Sequence, residues 1–296
     1  MFKIGTRSIG LSATPFIIAE MSGNHNQSLD RALSIVDEAA DAGAHAIKLQ
    51  TYTADTMTLD LKDGEFFIND PKSLWKGQVM HDLYKLAYTP WEWHEPIMKH
   101  ARSRNLLCFS SPFDESAIDF LETLDVPAYK IASFECIDLP LIKKAASTKK
   151  PLIISTGMAS IVEIGDAVEA ARGAGCKNLV LLKCTSTYPA SPENTNLNTI
   201  AHMRQLFDCE VGLSDHTLGI GAAIASIAVG ATVIEKHFTL SRSDGGVDSA
   251  FSLEPNEMKA LTLESERAFQ ALGEIRYGPT EAEEDACLRR RSLYIG

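Results

Sequence analysis

Two histidines in one stretch of the sequence have the types and spacing of metal ligands. Residues 211–240, VGLSDHTLGIGAAIASIAVGATVIEKHFTL, have the pattern of strand, polar turn, apolar helix and strand. Each strand ends near a histidine beside a carboxylate: His216 follows Asp215, and His237 lies two residues after Glu235. Neutral imidazoles with nearby carboxylates can bind a divalent ion and leave coordination positions open for substrate oxygens. Two unrelated histidines at strand ends are the alternative.

The predicted ion is Mn²⁺ or Mg²⁺ rather than structural zinc. Structural zinc sites are closed, commonly by cysteine pairs, and no cysteine pair accompanies the two histidines. The six cysteines show no CxxC spacing, and four of them lie in or beside apolar runs, as buried thiols do. They are Cys108, Cys136, Cys176, Cys184, Cys209 and Cys287. This usage predicts a reducing cytoplasm.

Length and charge limit the class of protein. A chain of 296 residues is within the range of one α/β barrel. The net charge of −11 argues against nucleic-acid and anionic-membrane partners, although a locally positive pocket for an anionic substrate stays possible. The first ten residues, MFKIGTRSIG, lack the apolar core of a signal peptide, and no apolar run reaches the roughly eighteen residues of a membrane span. The sequence predicts a soluble cytoplasmic protein.

Short apolar runs alternate with amphipathic stretches along the chain. After an N-terminal hairpin at 2–9, the predicted strands are 15–19, 46–50, 106–109, 128–131, 152–154, 179–182, 211–213 and 232–234. Helical spacing is clearest at 28–42, 115–124, 160–174 and 256–272. Eight strands alternating with helices predict an α/β fold of the (β/α)8 TIM barrel class. An open doubly wound sheet is less favoured, since no GxGxxG follows the first strand.

One connection is unusually long. Residues 51–88 hold a charged turn at 60–65 and an aromatic group, Phe66, Phe67 and Trp75. Loops of this length are uncommon and often functional. A capping box of Thr89 and Glu92 is predicted to start the helix that follows.

Polar residues follow each predicted strand. They are Glu20, Lys48, Gln50, Ser110, Ser111, Lys130, Ser133, Ser155, Thr156, Lys183, Thr185, Ser186, Ser214, His216, Glu235 and His237. In a barrel these strand ends converge on one mouth, where catalytic groups gather. The alternative is that polar residues simply start loops.

The types of these residues indicate the ligands. Lys48 and Lys130 can bind a phosphate and a carboxylate together with hydroxyls from Ser111, Ser133, Ser155 and Ser214. No GxxxxGK[ST] is present, which excludes a nucleotide P-loop. Carboxylates for sugar hydroxyls and proton transfer come from Glu20, Glu135, Glu235 and Asp248. A phosphorylated acid and a carbonyl acceptor are therefore the predicted substrates.

A set of motifs resembles the sialic acid synthase family, and within it the pseudaminic acid branch. The motifs are IAEMSGNHNQSL, IKLQTYTADTMTL, FSSPFD, YKIASFE, ISTGM, LKCTSTYP, GLSDHT, IEKHFTL and VDSAFSL, which cover residues 10–295 in order. The resemblance implies a barrel that condenses phosphoenolpyruvate with the open-chain aldehyde of an amino sugar. The products are phosphate and a nine-carbon 2-keto acid.

The resemblance also implies roles for individual residues. The metal ligands fall on His216 and His237, and Glu20 is the candidate for proton or charge management. The phosphoenolpyruvate contacts fall on Lys48, Ser111, Lys130, Ser133, Ser155, Ser186 and Ser214. The sugar-side residues are Glu20, Glu135, Tyr188 and Asp248, and Gln50 joins the substrate-binding set.

Three departures separate the chain from the sialic acid branch. Ser111 replaces Thr, Phe134 replaces Gly and Ser186 replaces Asn. They favour 2,4-diacetamido-2,4,6-trideoxy-L-altrose over N-acetylmannosamine as the acceptor. An N-acetylneuraminate or legionaminate synthase stays an alternative, and a 3-deoxy sugar-acid synthase acting on a phosphorylated aldose is a more distant one.

The domain prediction is one barrel over 1–296, with the N-terminal hairpin and a C-terminal tail that includes a closing segment at 286–294. Family members continue beyond residues matching 291–294 into an antifreeze-like domain, which reaches across a homodimer and adds an Arg to the partner's sugar site. The chain given ends at Gly296, so we expect this domain to be absent from it. A barrel that binds its ligands but turns over poorly without that domain is therefore a second function class.

Overall fold

The computed structural model describes residues 1–289. The N-terminal hairpin pairs β1 (Phe2–Ile4) with β2 (Arg7–Ile9) in antiparallel register. The remaining strands are β3 (Phe16–Glu20), β4 (Ala46–Thr51), β5 (Leu107–Pro112), β6 (Tyr129–Ile131), β7 (Leu152–Ser155), β8 (Leu179–Cys184), β9 (Glu210–Asp215) and β10 (Val233–His237). The helices are α1 (Leu29–Asp41), α2 (Ala54–Met57), α3 (Met80–Ala87), α4 (His94–Ser103), α5 (Glu115–Thr123), α6 (Leu139–Ser147), α7 (Ile161–Gly173), α8 (Thr199–Phe207), α9 (Gly221–Ala228), α10 (Pro255–Leu272) and α11 (Glu284–Cys287).

Strands β3 to β10 form a closed parallel barrel, which confirms the predicted fold. Their order is β10-β3-β4-β5-β6-β7-β8-β9, so β10 closes the barrel against β3. The strands read as nearly continuous apolar runs because side chains fill the barrel interior on one face and helices cover the other. Closure brings all eight carboxyl ends to one mouth.

Most strands extend further towards the mouth than their apolar runs predict. Ser110 and Ser111 belong to β5, and Ser111 pairs with Gln50 of β4. Backbone pairing continues through these polar residues because the barrel interior at the mouth is itself polar. The apolar run of a strand therefore ends before its backbone pairing ends.

The predicted helices are confirmed, with one error in how a helix starts. Ser28 caps α1, and Ser160 with Glu163 forms a capping box on α7. The capping box predicted at Thr89 is wrong: the Thr89 hydroxyl instead contacts His25 Nε2 at 3.2 Å, and a 3₁₀ turn at Trp91–Trp93 precedes α4. The Thr89 hydroxyl therefore bonds to the buried imidazole of His25 and does not cap α4.

The long connection 51–88 has structure of its own. It contains α2, α3 and a 3₁₀ turn at Gly64–Phe66, and Phe67 forms an isolated antiparallel bridge with Val79. The six cysteines are free, and four are buried as predicted. No helix among residues 1–289 is long and apolar enough to span a membrane. The part of the predicted closing segment beyond Arg289 lies outside the described residues.

Candidate active site

A cavity of about 600 Å³ opens at the carboxyl end of the barrel. It contains most of the residues that the sequence predicted to bind ligands. Those lining it are Glu20, Lys48, Gln50, Lys130, Ser133, Glu135, Ser155, Tyr188, Ser214, His216, His237 and Asp248. Ser111 and Ser186 lie one layer behind, where Ser111 accepts a hydrogen bond from Lys48 and Ser186 donates one to Ser133. Strand ends thus bring distant parts of the sequence to one place.

Two buried lysines occupy the bottom of this cavity. Together with Ser155 and Ser214 they form what we call the lysine floor, Lys48, Lys130, Ser155 and Ser214. Lys48 Nζ lies 2.6 Å from Glu20 Oε2, and Lys130 Nζ lies 3.5 Å from Glu235 Oε1. Burial alone would lower the pKa of Lys48, but Glu20 and Glu235 raise it above its usual value, so this lysine stays charged.

The two carboxylates beside the floor differ in protonation. Burial, joined by repulsion from Glu235, raises the pKa of Glu20 to about 7 despite the attraction of Lys48. For Glu235 burial acts in the same direction, but Lys130, Lys48 and a 2.9 Å hydrogen bond from Ser214 outweigh it and lower the pKa. Glu235 is therefore a fixed negative charge, whereas Glu20 can gain or lose a proton near neutral pH.

The two histidines face the cavity with their ring centroids 5.3 Å apart. His216 Nδ1 lies 3.0 Å from the carbonyl oxygen of Thr185, which can only accept, so Nδ1 carries a proton. Burial would lower the pKa of His216, but contacts with Cys184 and the Thr185 carbonyl outweigh it and raise the pKa. Burial, followed by the charge of His216, lowers the pKa of His237 well below its usual value and keeps that ring neutral. Its Nδ1 is buried without a hydrogen-bond partner in the described part of the chain.

These donors fit an open metal site. A ring nitrogen whose partner nitrogen is bonded to a backbone carbonyl is the usual state of a metal-ligating histidine. Asp248 Oδ2 lies 3.8 Å from His237 Nδ1. Among residues 1–289, no group of three or more His, Cys, Asp and Glu side chains could hold a metal ion. The metal therefore stays a prediction that rests on the histidine pair.

Part of the cavity lining is apolar and aromatic. Six residues of the connection 51–88 form this outer wall: Met57, Ile68, Trp75, Met80, Leu83 and Tyr84. Trp75 Nε1 donates to the carbonyl oxygen of Val247 at 2.8 Å, and its ring lies 5.9 Å from that of Tyr188. Of the aromatic group predicted in this connection, Trp75 lines the cavity and Phe66 and Phe67 do not.

Two further acids lie between the floor and the outer wall. Burial raises the pKa of Glu135 to about 7, and its Oε2 has no hydrogen-bond partner among residues 1–289. Burial also raises the pKa of Asp248, which accepts a hydrogen bond from Ser22. Phe134, 58 % exposed, lies at the rim beside Glu135. These groups can bind hydroxyl or amide groups of a ligand.

Side-chain alternation corrects the predicted ring of polar residues. Ser110, Thr156 and Lys183 are absent from the cavity lining, because alternate residues of a strand face opposite sides of the barrel. Ser110 contacts Thr51, and Lys183 Nζ donates to the carbonyl oxygen of Cys184 at 2.8 Å.

Sequence reasoning missed several residues that line the cavity. The sequence predicts Cys184 only as a buried thiol, yet it lines the cavity, and its place two residues after Leu182 in β8 indicates the inward face. Ser22 lies two residues after Glu20, a spacing that could have indicated it. Nothing in the sequence pattern indicated several other lining residues, among them Tyr52, Phe113 and Met80.

Comparison with known proteins relates the whole barrel to sugar-acid synthases. A profile of the NeuB family matches residues 35–277. Pseudaminic acid synthase of Campylobacter jejuni subsp. jejuni serotype O:2 is 44% identical over 94% of this chain and 81% of its own length. The enzyme of the same name from Helicobacter pylori is 43% identical over 95% of this chain and 82% of its own.

A solved structure agrees with the sequence match. The crystal structure of N-acetylneuraminic acid (sialic acid) synthetase from Leptospira borgpetersenii serovar Hardjo-bovis in complex with citrate superposes with a TM-score of 0.86. It is 32% identical, and the match covers 100% of this chain and 98% of that one. On its sequence, its barrel and the residues of its cavity, this chain belongs to the NeuB family.

Proposed function

We propose that the chain is a pseudaminic acid synthase, a transferase that condenses phosphoenolpyruvate with 2,4-diacetamido-2,4,6-trideoxy-L-altrose. The observation that carries this proposal is one cavity that is lined both by the lysine floor and by the apolar and aromatic outer wall. The first suits a small phosphorylated acid and the second a deoxy sugar with acetamido groups. The identity of 43–44% to pseudaminic acid synthases supports the same substrates.

Phosphoenolpyruvate binds to the lysine floor. Lys48 and Lys130 are nearly fully buried, so their attraction for a phosphate and a carboxylate is screened little by water. The Ser155 hydroxyl is buried and has no hydrogen-bond partner within residues 1–289, which leaves it able to donate to the ligand. When Glu20 is protonated, one negative charge is removed beside the incoming anion. The binding residues Ser111 and Ser186 act from behind, by orienting Lys48 and Ser133.

His216 and His237 would hold one divalent ion, Mn²⁺ or Mg²⁺. When bound, the ion supplies polarisation of the acceptor's aldehyde carbonyl. The chain's own contribution is two rings whose centroids lie 5.3 Å apart, with Asp248 close to one of them. A calorimetric titration with MnCl₂ tests this assignment, because a His216→Ala/His237→Ala variant that kept native metal affinity would contradict it.

The reaction forms one carbon–carbon bond and breaks one carbon–oxygen bond. The methylene carbon of phosphoenolpyruvate attacks the aldehyde carbon, and positive charge develops at the carbon that carries the phosphate. The buried carboxylates Glu20 and Glu235 stabilise this charge. Water adds at that carbon and supplies the oxygen of the new keto group, while phosphate leaves with the bridging oxygen. One proton of the water ends on the oxygen of the former aldehyde and the other on the phosphate, which leaves the 2-keto acid. Oxygen-18 in the bridging position should therefore appear in phosphate; label found in the sugar acid would contradict this route.

The acceptor binds between Glu135, Tyr188, Asp248 and the outer wall. A sugar without a 6-hydroxyl, and with a second acetamide, suits the apolar side chains there. A hydrophobic pocket discriminates by about 1–3 kcal/mol per small group, so N-acetylmannosamine should react more slowly but measurably. Phosphate release from phosphoenolpyruvate with each sugar and MnCl₂ tests the assignment. Equal or greater kcat/KM with N-acetylmannosamine would favour a sialic acid synthase instead.

We also infer that the barrel is the single catalytic domain of this chain, because each assigned residue lies on its strands or connections. Family resemblance adds a homodimer to this proposal, which light scattering of the purified protein tests. Phosphoenolpyruvate binding without turnover would favour the second class, a barrel that needs another domain for activity.

A further inference from the structure

A buried ion pair lies behind the two histidines, on the outer face of the barrel. Lys236 Nζ is 3.0 Å from Asp215 Oδ2, and both side chains have a solvent exposure of 0%. The two residues are directly opposite each other in the parallel register of β9 and β10. Neither lines the cavity, because in both strands the residues on either side of them face inward.

This pair is the last one in the ladder between β9 and β10. The register runs from Val233 with Gly212 to Lys236 with Asp215, and His216 and His237 each lie one residue beyond. His237 still pairs with Glu20 of β3, but no strand pairing joins the two histidines to each other in the described chain. Their spacing therefore depends on how firmly the two strand ends are joined at 215 and 236.

The same ion pair also fixes the turn that follows His216. The Thr217 N–H donates to Asp215 Oδ1 at 2.9 Å, and Lys236 Nζ donates to the carbonyl oxygen of Thr217 at 2.5 Å. The Ala190 N–H donates to the carbonyl oxygen of His216 at 2.9 Å. The carbonyl oxygen of His216 and both backbone polar groups of Thr217 are thus hydrogen-bonded. One of these three bonds comes from Lys236, on the strand that carries His237.

Stability alone does not account for a pair in this position. Burying two charges carries a large desolvation penalty, and apolar replacements of similar volume are often as stable or more so. An ion pair does specify one geometry, because the ammonium must meet the carboxylate and the Thr217 carbonyl at the same time. Asp215 and Lys236 each lie one residue from a histidine, so the geometry of the ion pair affects where the two imidazole rings lie in the cavity.

We propose that Asp215 and Lys236 are positioning residues, whose buried ion pair sets the spacing of the His216 and His237 rings for a divalent cation. The inference rests on the metal assignment in the proposed function. Groups that orient metal ligands from outside the ligand set typically contribute about 10–100-fold to metal affinity. Loss of the ion pair should lower metal affinity and leave phosphoenolpyruvate affinity unchanged, since the lysines of the floor are held by Glu20 and Glu235 and not by this pair.

The test is calorimetric titration of the full chain with MnCl₂. The double variant Asp215→Asn/Lys236→Met removes both charges together and leaves an amide oxygen for the Thr217 N–H. We expect about 10–100-fold weaker Mn²⁺ binding. Phosphoenolpyruvate affinity, measured in EDTA, should equal that of the native protein, which a general loosening of the barrel would not allow. The single variant Asp215→Asn keeps the shape but leaves the buried Lys236 ammonium without its carboxylate, so it should be less stable than the double variant. Its Mn²⁺ affinity, measured below its melting temperature, should fall at least as far.

The matched control lies at the other end of β9. Glu210 begins that strand and accepts from Arg204 Nη1 at 2.8 Å, far from the histidines along the strand. Glu210→Gln should lower the melting temperature without changing Mn²⁺ affinity. Native affinity in both Asp215 variants, or an equal loss in Glu210→Gln, would overturn the inference and leave the metal assignment intact. A native protein that binds no Mn²⁺ would overturn both.

Discussion

The lysine floor and the outer wall are built in opposite ways. Floor residues lie at the ends of barrel strands, are buried, and are held by ion pairs of 2.6 and 3.5 Å. The outer wall comes from one connection between β4 and α4, and a hydrogen bond from Trp75 to Val247 joins it to the loop after β10. The charged groups therefore lie on barrel strands, and the apolar side chains lie on a connection, the part of a barrel that varies most between related proteins.

On the proposed assignment, each region binds one of the two substrates. Changes in the floor should act on phosphoenolpyruvate, and changes in the wall should act on the sugar. A variant that affected both equally would show that the two regions are not independent.

The largest effect is expected from Lys130→Met. Removal of this buried cation deletes a charge-assisted contact to the anion and leaves Glu235 with Lys48 at 3.9 Å as its remaining lysine partner among residues 1–289. Loss of such a contact costs about 1.5–3 kcal/mol, and the uncompensated carboxylate adds to it, so kcat/KM for phosphoenolpyruvate should fall at least about 100-fold. Steady-state kinetics measures it.

Lys183→Met is the matched control for this change. Lys183 lies near the carboxyl end of β8. Its Nζ donates to the Cys184 carbonyl, and the residue does not line the cavity. It should leave KM for phosphoenolpyruvate unchanged. Equal losses in the two variants would mean that overall positive charge at the mouth, rather than the floor, attracts the anion.

A smaller effect is expected from Trp75 in the outer wall. Trp75→Ala removes both the ring near Tyr188 and the hydrogen bond to Val247, so KM for the sugar should rise about tenfold while phosphoenolpyruvate affinity stays native. Trp75→Phe keeps a ring and should show an intermediate value. Phe67→Ala, on the same connection but outside the cavity lining, is the control. A rise in phosphoenolpyruvate KM with unchanged sugar KM would contradict the separation.

The same contrast explains what the sequence could predict. The floor was predictable because the apolar run of each strand marks where its polar end begins, and closure brings those ends together. Which polar residue faces inward was not, since pairing continues past the apolar run: Ser111 faces inward beside Lys48, whereas Ser110 contacts Thr51 on the other side. The apolar run ends before the strand does, so it does not determine which of the later polar residues face the barrel interior.

The outer wall could not be predicted for a different reason. Trp75 meets Val247 across 172 positions of sequence, and neither residue lies in a periodic segment that fixes where it points. The sequence indicated only that a long connection with aromatic residues was functional. Its Phe66 and Phe67 proved to lie outside the cavity lining.

A moderate, pH-dependent effect is expected from Glu20→Gln. Because the pKa of Glu20 is about 7, native protein adds a negative charge beside Lys48 as the pH rises through 7. Native phosphoenolpyruvate affinity should therefore weaken by several-fold between about pH 6 and 8 relative to Glu20→Gln. The ligand's own ionisation is common to both proteins, so the ratio of the two calorimetric affinities isolates Glu20. A ratio that is constant over this range would show that Glu20 does not titrate there.

The smallest effect concerns stability and comes from Glu135. Burial raises its pKa from 4.5 to about 7 in the folded protein, so the folded state binds a proton more tightly than the unfolded state does. The resulting stabilisation is fully present below about pH 4.5 and is lost as the pH rises through 7. The melting temperature of native protein, relative to Glu135→Gln, should therefore fall by a few degrees between about pH 5 and 7.5.

Glu163→Gln is a control that gives the opposite sign. The Ser160 backbone and hydroxyl lower the pKa of this exposed helix-capping carboxylate, so its stabilisation is present above pH 4.5 and lost below it. Parallel curves for native protein and Glu135→Gln would show that Glu135 is ionised in the cavity across this range.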